Sequence, residues 1–439
     1  MSTPAPISAS TPLSAADELG RRTIRKVRAR LLPFIFICYA VAYLDRVNVG
    51  FAALEMNKDL GLSDTAYAFG VGLFFWGYAL LEVPSNLLLA RVGARVWIAR
   101  IMIVWGLVSS AMMFATGPWS FGAMRLLLGV AEAGFYPGII LYLTYWFPIV
   151  ERAKAVAYFM TATAITGVVG GPLSGLLMQL EGTLGLRGWQ WLFLIEGLPA
   201  LVLGFVVLGY MTDRPEQAHW LTQDERDWLA RSLASDRATA AETHTFKDAI
   251  RQPLLWLFCL IYFCNNIGFY GITFWLPRIV QNFSGLGTLY TTMLSALPYA
   301  CAMIVMVSVA WHSDRRRERR WHIAVASVTG SAGLLLASQA TTPVQGLLAL
   351  ALTASGIYSV APVFWALPTS VLSGTAAAGG VAFINSIGNL GGSVGPMIIG
   401  RVHDRTGTYS AALATLAVAP ALVAILVLQV PLRRRPPSS

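Results

Sequence analysis

Long apolar stretches alternate with short polar turns along almost the whole chain. Twelve of them are long enough to cross a bilayer, which takes about 20 apolar residues in a helix. Their approximate positions are 31–53, 65–89, 97–116, 120–146, 155–180 and 189–211, then 254–280, 288–312, 323–340, 344–370, 376–401 and 408–431. The pattern predicts an all-α polytopic membrane protein with twelve transmembrane helices, arranged as two six-helix bundles around a hydrophilic linker.

The composition agrees with a membrane protein. The 439 residues are 56% hydrophobic and 12% charged, with a mean hydropathy of +0.61, whereas soluble domains carry about 25% charged residues. No Cys/His spacing typical of a metal site occurs, and no glycine-rich loop precedes a lysine. We therefore expect no metal, no cofactor and no enzyme activity. The cysteines are interpreted as small core residues; they are Cys38, Cys259, Cys264 and Cys301.

Lysines and arginines collect in alternate connections, with clusters at 21–30, 315–320 and 433–435. Short basic connections face the cytoplasm, so both termini are expected inside. The net charge of +10 then reflects membrane topology rather than nucleic-acid binding. The expected divisions are a cytoplasmic tail 1–30, a first bundle 31–211, a cytoplasmic linker 212–253, a second bundle 254–431 and a cytoplasmic tail 432–439.

The linker contains one helical signal. Thr222 and Glu225 stand at the spacing of a capping box, followed by a polar segment that ends near Arg231. We interpret the linker as a tether between two bundles, with a regulatory docking site as the alternative.

One offset relates the two halves of the chain. Adding 224 carries the turn that begins at Ala90 onto the basic turn at Asp314, and carries Gly171 and its proline onto Gly395 and its proline. This indicates a duplicated six-helix unit, and parallel repeats of this kind place a substrate site between the halves near the bilayer midplane.

Charged side chains inside the apolar stretches are the strongest functional signal. A charge at bilayer depth costs at least roughly 2.5–3.5 kcal/mol, so it is seldom kept without a partner or a role. Asp45 and Arg46 lie in the first stretch; Arg125 and Glu132 lie seven residues apart in the fourth, on one helical face. We expect a cluster in which Asp45 and Glu132 share arginine partners. Proton coupling and a static ion-pair network both remain open.

Other polar residues in the spans are weaker candidates. Glu82 and Glu196 are interpreted as structural. Substrate binding and polar contact between helices are equally open for a group of neutral side chains. These are Tyr78, Tyr136, Asn265, Asn266, Tyr270, Asn385 and Asn389.

Five segments together resemble the anion:cation symporter family within the major facilitator superfamily. They are AYLDRVNVGFAAL (42–54), EVPSNLLLARVGARVWIARIMIVWG (82–106), RLLLGVAEAGFYPGIILYLTYWFP (125–148), FYGITFWLP (269–277) and INSIGNLGG (384–392). The resemblance covers the chain apart from its tails and linker. Within the family the chain most resembles bacterial permeases for tartrate-like hydroxy acids, sugar acids and small aromatic carboxylates.

The resemblance implies a monomeric carrier in the bacterial inner membrane, surrounded by lipid, that imports a small organic anion with a proton. A tartrate-like hydroxy acid or a sugar acid is the expected substrate. Uptake of an aromatic carboxylate, or exchange or efflux of organic anions, are the alternatives. The implied roles are proton linkage for Asp45 and Glu132, substrate contact for Arg46, assistance in coupling for Arg125, and cavity lining for Tyr78 and Asn385 or Asn389.

The resemblance also implies an inner gate at the turns after the second and eighth spans. The superfamily usually has an aspartate in the first of these turns, but this chain has Ala90; Asp314 occupies the equivalent position in the second half. The first-half gate is then expected to be held differently. The gating candidates are Arg91, Gly93, Arg95, Asp314 and Arg315.

Overall fold

The computed structural model describes residues 15–240, 250–371 and 374–431, and contains helices and no strand within those ranges. The all-α prediction is therefore confirmed. The predicted C-terminal tail, 432–439, lies outside the described residues.

The first half contains seven α-helices because its fourth span is broken. The bounds are α1 Ala15–Asp59, α2 Asp64–Val92, α3 Ala94–Ala111, α4 Pro118–Glu132, α5 Phe135–Thr144, α6 Ile149–Met178 and α7 Gly188–Tyr210. Short 3₁₀ helices occupy Met112–Phe114, Thr183–Gly185 and, after the half ends, Pro215–Gln217.

The linker forms α8, Gln223–Ala240. The second half follows with α9 Pro253–Ser284, α10 Thr288–Arg316, α11 Arg320–Ser338, α12 Pro343–Phe364, α13 Ala366–Val371, α14 Gly374–Asn389, α15 Gly391–Thr406, α16 Tyr409–Leu416 and α17 Val418–Leu428. We call the end of the bundle that carries the linker the linker end, and the opposite end, with the α1–α2 and α9–α10 turns, the distal end.

Eleven helical stretches of the described chain are long and apolar enough to span a membrane. The predicted span 376–401 is divided between α14 and α15, each 16 residues long, which is shorter than a bilayer requires. End to end these two helices complete the twelve predicted spans.

Two spans break next to residues that carry candidate chemistry. Between α4 and α5 the chain passes through Gly134 at φ 89°, two residues after Glu132. Two features require glycine here. One is the positive φ, and the other is the close approach of α2, because a Cβ at Gly134 would lie 2.2 Å from Ser85 Oγ. The second break, at Leu390, directly follows Asn389. Helices broken inside a bundle typically border a binding site.

The halves meet in a way that fits the predicted repeat. Near the centre α1 faces its equivalent α9: Arg46 donates to Tyr270, 224 residues away, and a Cβ on Gly50 would lie 3.1 Å from the carbonyl oxygen of Phe274, at the same offset. On the flanks α2 packs on α15, and α6 packs on α10. In the repeat α2 is equivalent to α10, and α6 is equivalent to α15. The repeat therefore converts one flanking pair into the other, as an approximate two-fold relation requires.

The segment expected to be an N-terminal tail is helical from Ala15 and continues α1 without interruption. It packs on the linker helix α8: a Cβ on Gly20 would lie 2.4 Å from the Trp228 ring. Glu225 is fully buried and forms ion pairs with Lys26 at 2.6 Å and with Arg22 at 3.3 Å. The linker is therefore docked onto the first half rather than free.

The predicted capping box forms at the start of α8. The Thr222 backbone N–H donates to Glu225 Oε2 at 3.0 Å, and the Glu225 N–H donates to Thr222 Oγ1 at 3.4 Å. Burial alone would raise the pKa of Glu225, but these bonds and the charges of Lys26 and Arg22 outweigh it and lower the pKa. The carboxylate therefore stabilises the docked linker above its unfolded pKa of about 4.3, and this contribution is lost as pH falls through the lowered value.

Replacing this carboxylate should release the linker. We expect Glu225→Ala to cost about 1–3 kcal/mol, because two cations and a helix N-terminus lose a buried partner. Limited proteolysis of the linker should become faster than in the wild type at pH 7. The neighbouring exposed Asp224→Asn is the control. Equal cleavage rates for Glu225→Ala and the wild type would contradict the docking.

Candidate functional site

An ion pair at the centre of the molecule joins α1 to α4. Arg46 Nη2 contacts Glu132 Oε1. The side chains are 11% and 1% exposed, so the pair is shielded from water. Glu132 is the last residue of α4, where the break at Gly134 lets the chain turn away. This confirms the predicted contact between the first and fourth spans.

The same arginine reaches the second half. Arg46 Nη1 donates to the Tyr270 hydroxyl at 3.4 Å, and its Cζ lies 5.3 Å from the Phe74 ring centre and 5.4 Å from the Tyr78 ring centre. Aromatic faces attract a guanidinium at such distances. Tyr78 and Tyr270, both predicted substrate contacts, therefore surround Arg46.

Asp45 lies elsewhere in the first half. It accepts hydrogen bonds from Trp105 Nε1 at 2.6 Å and Asn48 Nδ2 at 3.2 Å, and one from the Ser109 hydroxyl. Asp45 therefore forms no direct ion pair with an arginine of the described residues, although it interacts electrostatically with Arg125; that Asp45 and Glu132 share arginine partners remains a prediction. Consecutive helical residues point about 100° apart, so when Arg46 faces α4 and α9, Asp45 faces α3. There Trp105 and Ser109, one turn apart, supply neutral donors.

Arg125 is fully buried, yet it forms no direct pair in the described part of the chain. Its Nε, Nη1 and Nη2 have no hydrogen-bond partner there, and its Cζ lies 5.1 Å from the Phe74 ring centre. The close approach depends on Gly129, where a Cβ would lie 2.0 Å from the Phe74 carbonyl oxygen. Arg125 thus shares the Phe74 ring with Arg46 and remains a buried cation with unused donors.

Glu82 forms hydrogen bonds with residues of the second half. Its Oε1 accepts from Asn385 Nδ2 at 2.9 Å and its Oε2 from the Ser386 hydroxyl at 2.7 Å. Glu82 is 1% exposed and stands one helical turn after Tyr78. Sequence reasoning identified Asn385 but treated Glu82 as structural and missed Ser386; an acid in a span of the first half was the available signal. By contrast Glu196 contacts Ser174 at 3.0 Å, within the first half.

The remaining predicted binding residues are buried around this centre to different degrees. Asn265, Asn266 and Asn389 are each under 10% exposed. Asn266 Nδ2 has no hydrogen-bond partner in the described ranges. Tyr136 is occupied within the first half, where its hydroxyl donates to Met160 Sδ at 3.2 Å.

The first-half turn at the linker end is held by an acid that sequence reasoning missed. Asp213 Oδ1 accepts from the Arg95 backbone N–H at 2.8 Å, at the first turn of α3, where a carboxylate is favoured. Gly93, at φ 104°, brings the chain so close that a Cβ would lie 3.1 Å from the same carboxylate. Asp213 therefore takes the place of the missing aspartate at Ala90.

The other gating candidates make contacts within one half. Asp314 pairs with Arg319 at 2.5 Å, and Arg315 lies with its Cζ 3.8 Å from the Trp311 ring centre. Arg91 is exposed. Their role as a gate between the halves remains a prediction.

Among the described residues, ion pairs between the halves occur at the distal end. Asp64 pairs with Arg278 and with His403, and the Thr65 backbone N–H donates to Asp404 Oδ2 at 2.7 Å. Ser63 caps α2 by accepting from the Ala66 N–H at 3.1 Å, which fixes Asp64 in the first turn. The distal end is therefore closed. Sequence reasoning missed this group because its members lie at helix ends, where charges are ordinary.

Three comparisons with known proteins agree with this architecture. The model of the Major Facilitator Superfamily matches residues 35–396. Solved structures of similar fold include the xylose transporter XylE from E. coli in a partially occluded inward open conformation, with TM-score 0.73, 12% identity and coverage of 92% of this chain and 98% of that one. A bacterial homologue of the human lysosomal transporter Spinster gives TM-score 0.72 at 18% identity, covering 92% and 95%.

Curated relatives are much closer in sequence. A putative tartrate transporter of Agrobacterium vitis is 49% identical, over 93% of this chain and 95% of its own length. The putative metabolite transport protein NicT of Pseudomonas putida is 41% identical, over 97% and 98%. A quinolone resistance transporter of Acinetobacter baumannii is 41% identical, over 90% and 92%.

The distal closure can be tested by crosslinking. A Cβ on Gly72 of α2 would lie 3.3 Å from Ser393 Cβ of α15, close to the separation in a disulfide. In a background with the exposed Cys301 replaced by serine, we expect Gly72→Cys with Ser393→Cys to oxidise to a disulfide. Adding Asp64→Asn should slow this reaction by up to about fivefold, because an ion pair with some solvent exposure contributes up to roughly 1 kcal/mol.

The matched control is Asp59→Asn, since Asp59 pairs with Arg187 at 3.6 Å within the first half at the same end. This variant should leave the crosslinking rate unchanged. A rate that ignores Asp64→Asn, or that falls equally with Asp59→Asn, would contradict a gate built on Asp64.

Proposed function

The chain belongs to the Major Facilitator Superfamily, and on that premise we propose that it imports a small organic carboxylate together with a proton. The expected substrates are tartrate-like hydroxy acids and sugar acids. The observation that carries the proposal is the buried Arg46–Glu132 pair, which contacts both halves.

Arg46 is the proposed substrate anchor. A guanidinium binds a carboxylate through two parallel N–H groups, and Glu132 uses one edge of it, while Arg46 Nε has no partner among the described residues. An incoming carboxylate would compete with Glu132 for this cation. Tyr78 and Tyr270, which already lie against Arg46, would line the same site, with Asn265, Asn266, Asn389 and Tyr136 as further contacts.

Proton coupling follows from that competition. A carboxylate in a low-dielectric site stays ionised while a cation is near and takes up a proton when the cation is engaged elsewhere. If the substrate takes Arg46, Glu132 loses its counter-charge and binds the proton. Anion and proton would then cross together. Arg46 would return to Glu132 only when the substrate leaves.

Asp45 and Arg125 are proposed to tune this exchange. They interact electrostatically with each other, although Asp45 is hydrogen-bonded by neutral donors of α3. Arg125 keeps three unused donors beside the pair. It can therefore accept Glu132 or Asp45 as a partner when Arg46 turns to the substrate.

The relatives support an organic acid as substrate and a bacterial membrane as location. Proteins named as a putative tartrate transporter and as the inner membrane transport protein RhmT of E. coli, 37% identical over 92% of this chain, share its length. We propose that the linker end faces the cytoplasm, since the basic connections lie there, and that the carrier works as a monomer. The closed distal end would then open to bind substrate from outside.

A second candidate function is exchange or efflux of an organic anion. It is favoured by the similarity to a quinolone resistance transporter, because the same fold and site can run in either direction. Counterflow without net proton movement in proteoliposomes would support exchange over symport.

Loss of the anchoring cation should abolish specific uptake. We expect Arg46→Gln to weaken carboxylate binding about 30-fold or more, since truncating one member of a buried charge pair costs roughly 2–5 kcal/mol. Titration of a carboxylate into the purified protein would measure this. The exposed Arg100→Gln is the control. Unchanged saturable binding in Arg46→Gln would remove the proposed site.

Neutralising the proposed proton carrier should separate exchange from accumulation. We expect Glu132→Gln to retain exchange of labelled substrate across proteoliposome membranes but to lose accumulation driven by an imposed pH gradient. Wild-type vesicles with a protonophore should behave like the variant. Uphill accumulation by Glu132→Gln equal to that of the wild type would contradict its role, and wild-type uptake that ignores the pH gradient would remove proton coupling.

A further inference from the structure

Glu82 remains unexplained by the carrier scheme above. It lies at bilayer depth, and none of the cations in the described ranges forms an ion pair with it. Both of its oxygens accept hydrogen bonds from the opposite half, from Asn385 at 2.9 Å and Ser386 at 2.7 Å. A static link between helices within one half would be simple to understand. This carboxylate instead crosses the boundary that must open during transport.

Glu82 shares one face of α2 with Tyr78, and Tyr78 lies against Arg46 of α1. Tyr78, whose ring centre lies 5.4 Å from Arg46 Cζ, precedes Glu82 by four residues. Four residues return to nearly the same face about 6 Å further along the axis. At the contact between the halves, a cation at Arg46 and an acid at Glu82 therefore stand about one helical turn apart, with Tyr78 between them.

The acid at Glu82 has acceptor capacity left over. An ionised carboxylate offers about four lone-pair positions, and two are used by Asn385 and Ser386. The Ser386 hydroxyl can itself accept a hydrogen bond while donating one, and the Asn385 amide has a second N–H. The three groups together can thus accept from, and donate to, a hydroxyl group that enters between them.

We propose that Glu82, Asn385 and Ser386 form a hydroxyl-binding subsite that selects hydroxylated monocarboxylates over dicarboxylates. The inference rests on the proposed function, because Arg46 must hold the substrate's carboxylate. It narrows the substrates proposed above to sugar acids and other hydroxylated monocarboxylates, and it counts against tartrate itself. A hydroxyl a few carbons away then donates to Glu82. A second carboxylate at the same place cannot donate and meets a like charge, which disfavours it. An apolar chain would leave the acid without the added hydrogen bond.

Three four-carbon acids test this selectivity in the purified full-length protein. Threonate carries one carboxylate and three hydroxyls, tartrate carries two carboxylates and two hydroxyls, and butyrate carries one carboxylate alone. We expect calorimetric titration to rank threonate above tartrate and butyrate by about tenfold or more. Equal affinities for threonate and butyrate, or tighter binding of tartrate, would overturn the subsite.

Substitution of Glu82 should change the ranking and not merely the amount of folded protein. Glu82→Gln keeps the shape and one acceptor oxygen but removes the charge. We expect its threonate-to-tartrate affinity ratio to fall at least about fivefold, through weaker threonate binding and stronger tartrate binding. Ser386→Ala, which leaves the acid in place, should weaken threonate alone, by a few-fold.

The control is Glu196→Gln, a buried acid that contacts Ser174 within the first half and should leave the affinity ratio unchanged. An unchanged ratio in Glu82→Gln, or an equal change in Glu196→Gln, would overturn the proposal even if all proteins bind carboxylates. Should Glu82→Gln fail to fold, Ser386→Ala takes its place: an unchanged threonate-to-tartrate affinity ratio in that variant would overturn the proposal.

Failure of the proposed function gives a different result. Binding of threonate that survives Arg46→Gln would show that carboxylates are held elsewhere and would remove the anchor on which the subsite depends. Loss of binding in Arg46→Gln, together with no discrimination among the three acids, would overturn the subsite alone.

Discussion

The structure depends on a buried ion pair whose arginine keeps one nitrogen, Nε, without a partner among the described residues. Arg46 and Glu132 face each other where water is excluded, and a lone charge there would be costly. The pair spans two helices of one half and touches Tyr270 of the other. In the proposed function its cost is tolerated because each member has an alternative partner: Arg46 would turn to a substrate anion, and Glu132 would bind a proton. This coupling of charge exchange to the contact between halves is the physical basis of the proposed cycle.

The two halves share a fold but divide the chemistry. The first half carries every bilayer-depth charge of this central group, including Glu82, while the second supplies neutral donors such as Asn385 and Ser386. In this central group the surface of the second half is therefore polar but uncharged. When the halves separate, the second half leaves no charge of its own at this surface. The distal end is different, because an ion pair between Asp64 and Arg278 joins the two halves there, in place of hydrogen bonds from neutral donors.

Much of the fold was predictable from the sequence, since apolar length alone predicts bilayer spans. The capping box at Thr222 and Glu225 was also predictable, because it depends on residues three apart. The N-terminal extension was not: residues 15–30 look like a polar tail until the partner surface on α8 is known. The hydrogen-bond partners of Asp45 were not predictable for a similar reason, because Trp105 and Ser109 come from a helix about 60 residues away.

By itself the sequence determined the class of protein, the number of spans, the duplicated unit and the identity of the membrane-buried charges, because these follow from local hydropathy, composition and one constant offset. Only the tertiary structure decided which charge meets which: that Arg46 takes Glu132, that Arg125 is left without a direct bond among the described residues, and that Glu82 reaches across to Asn385. Helical periodicity fixes the face on which a side chain lies. The neighbour on that face is set by how distant helices pack, and that information is not local.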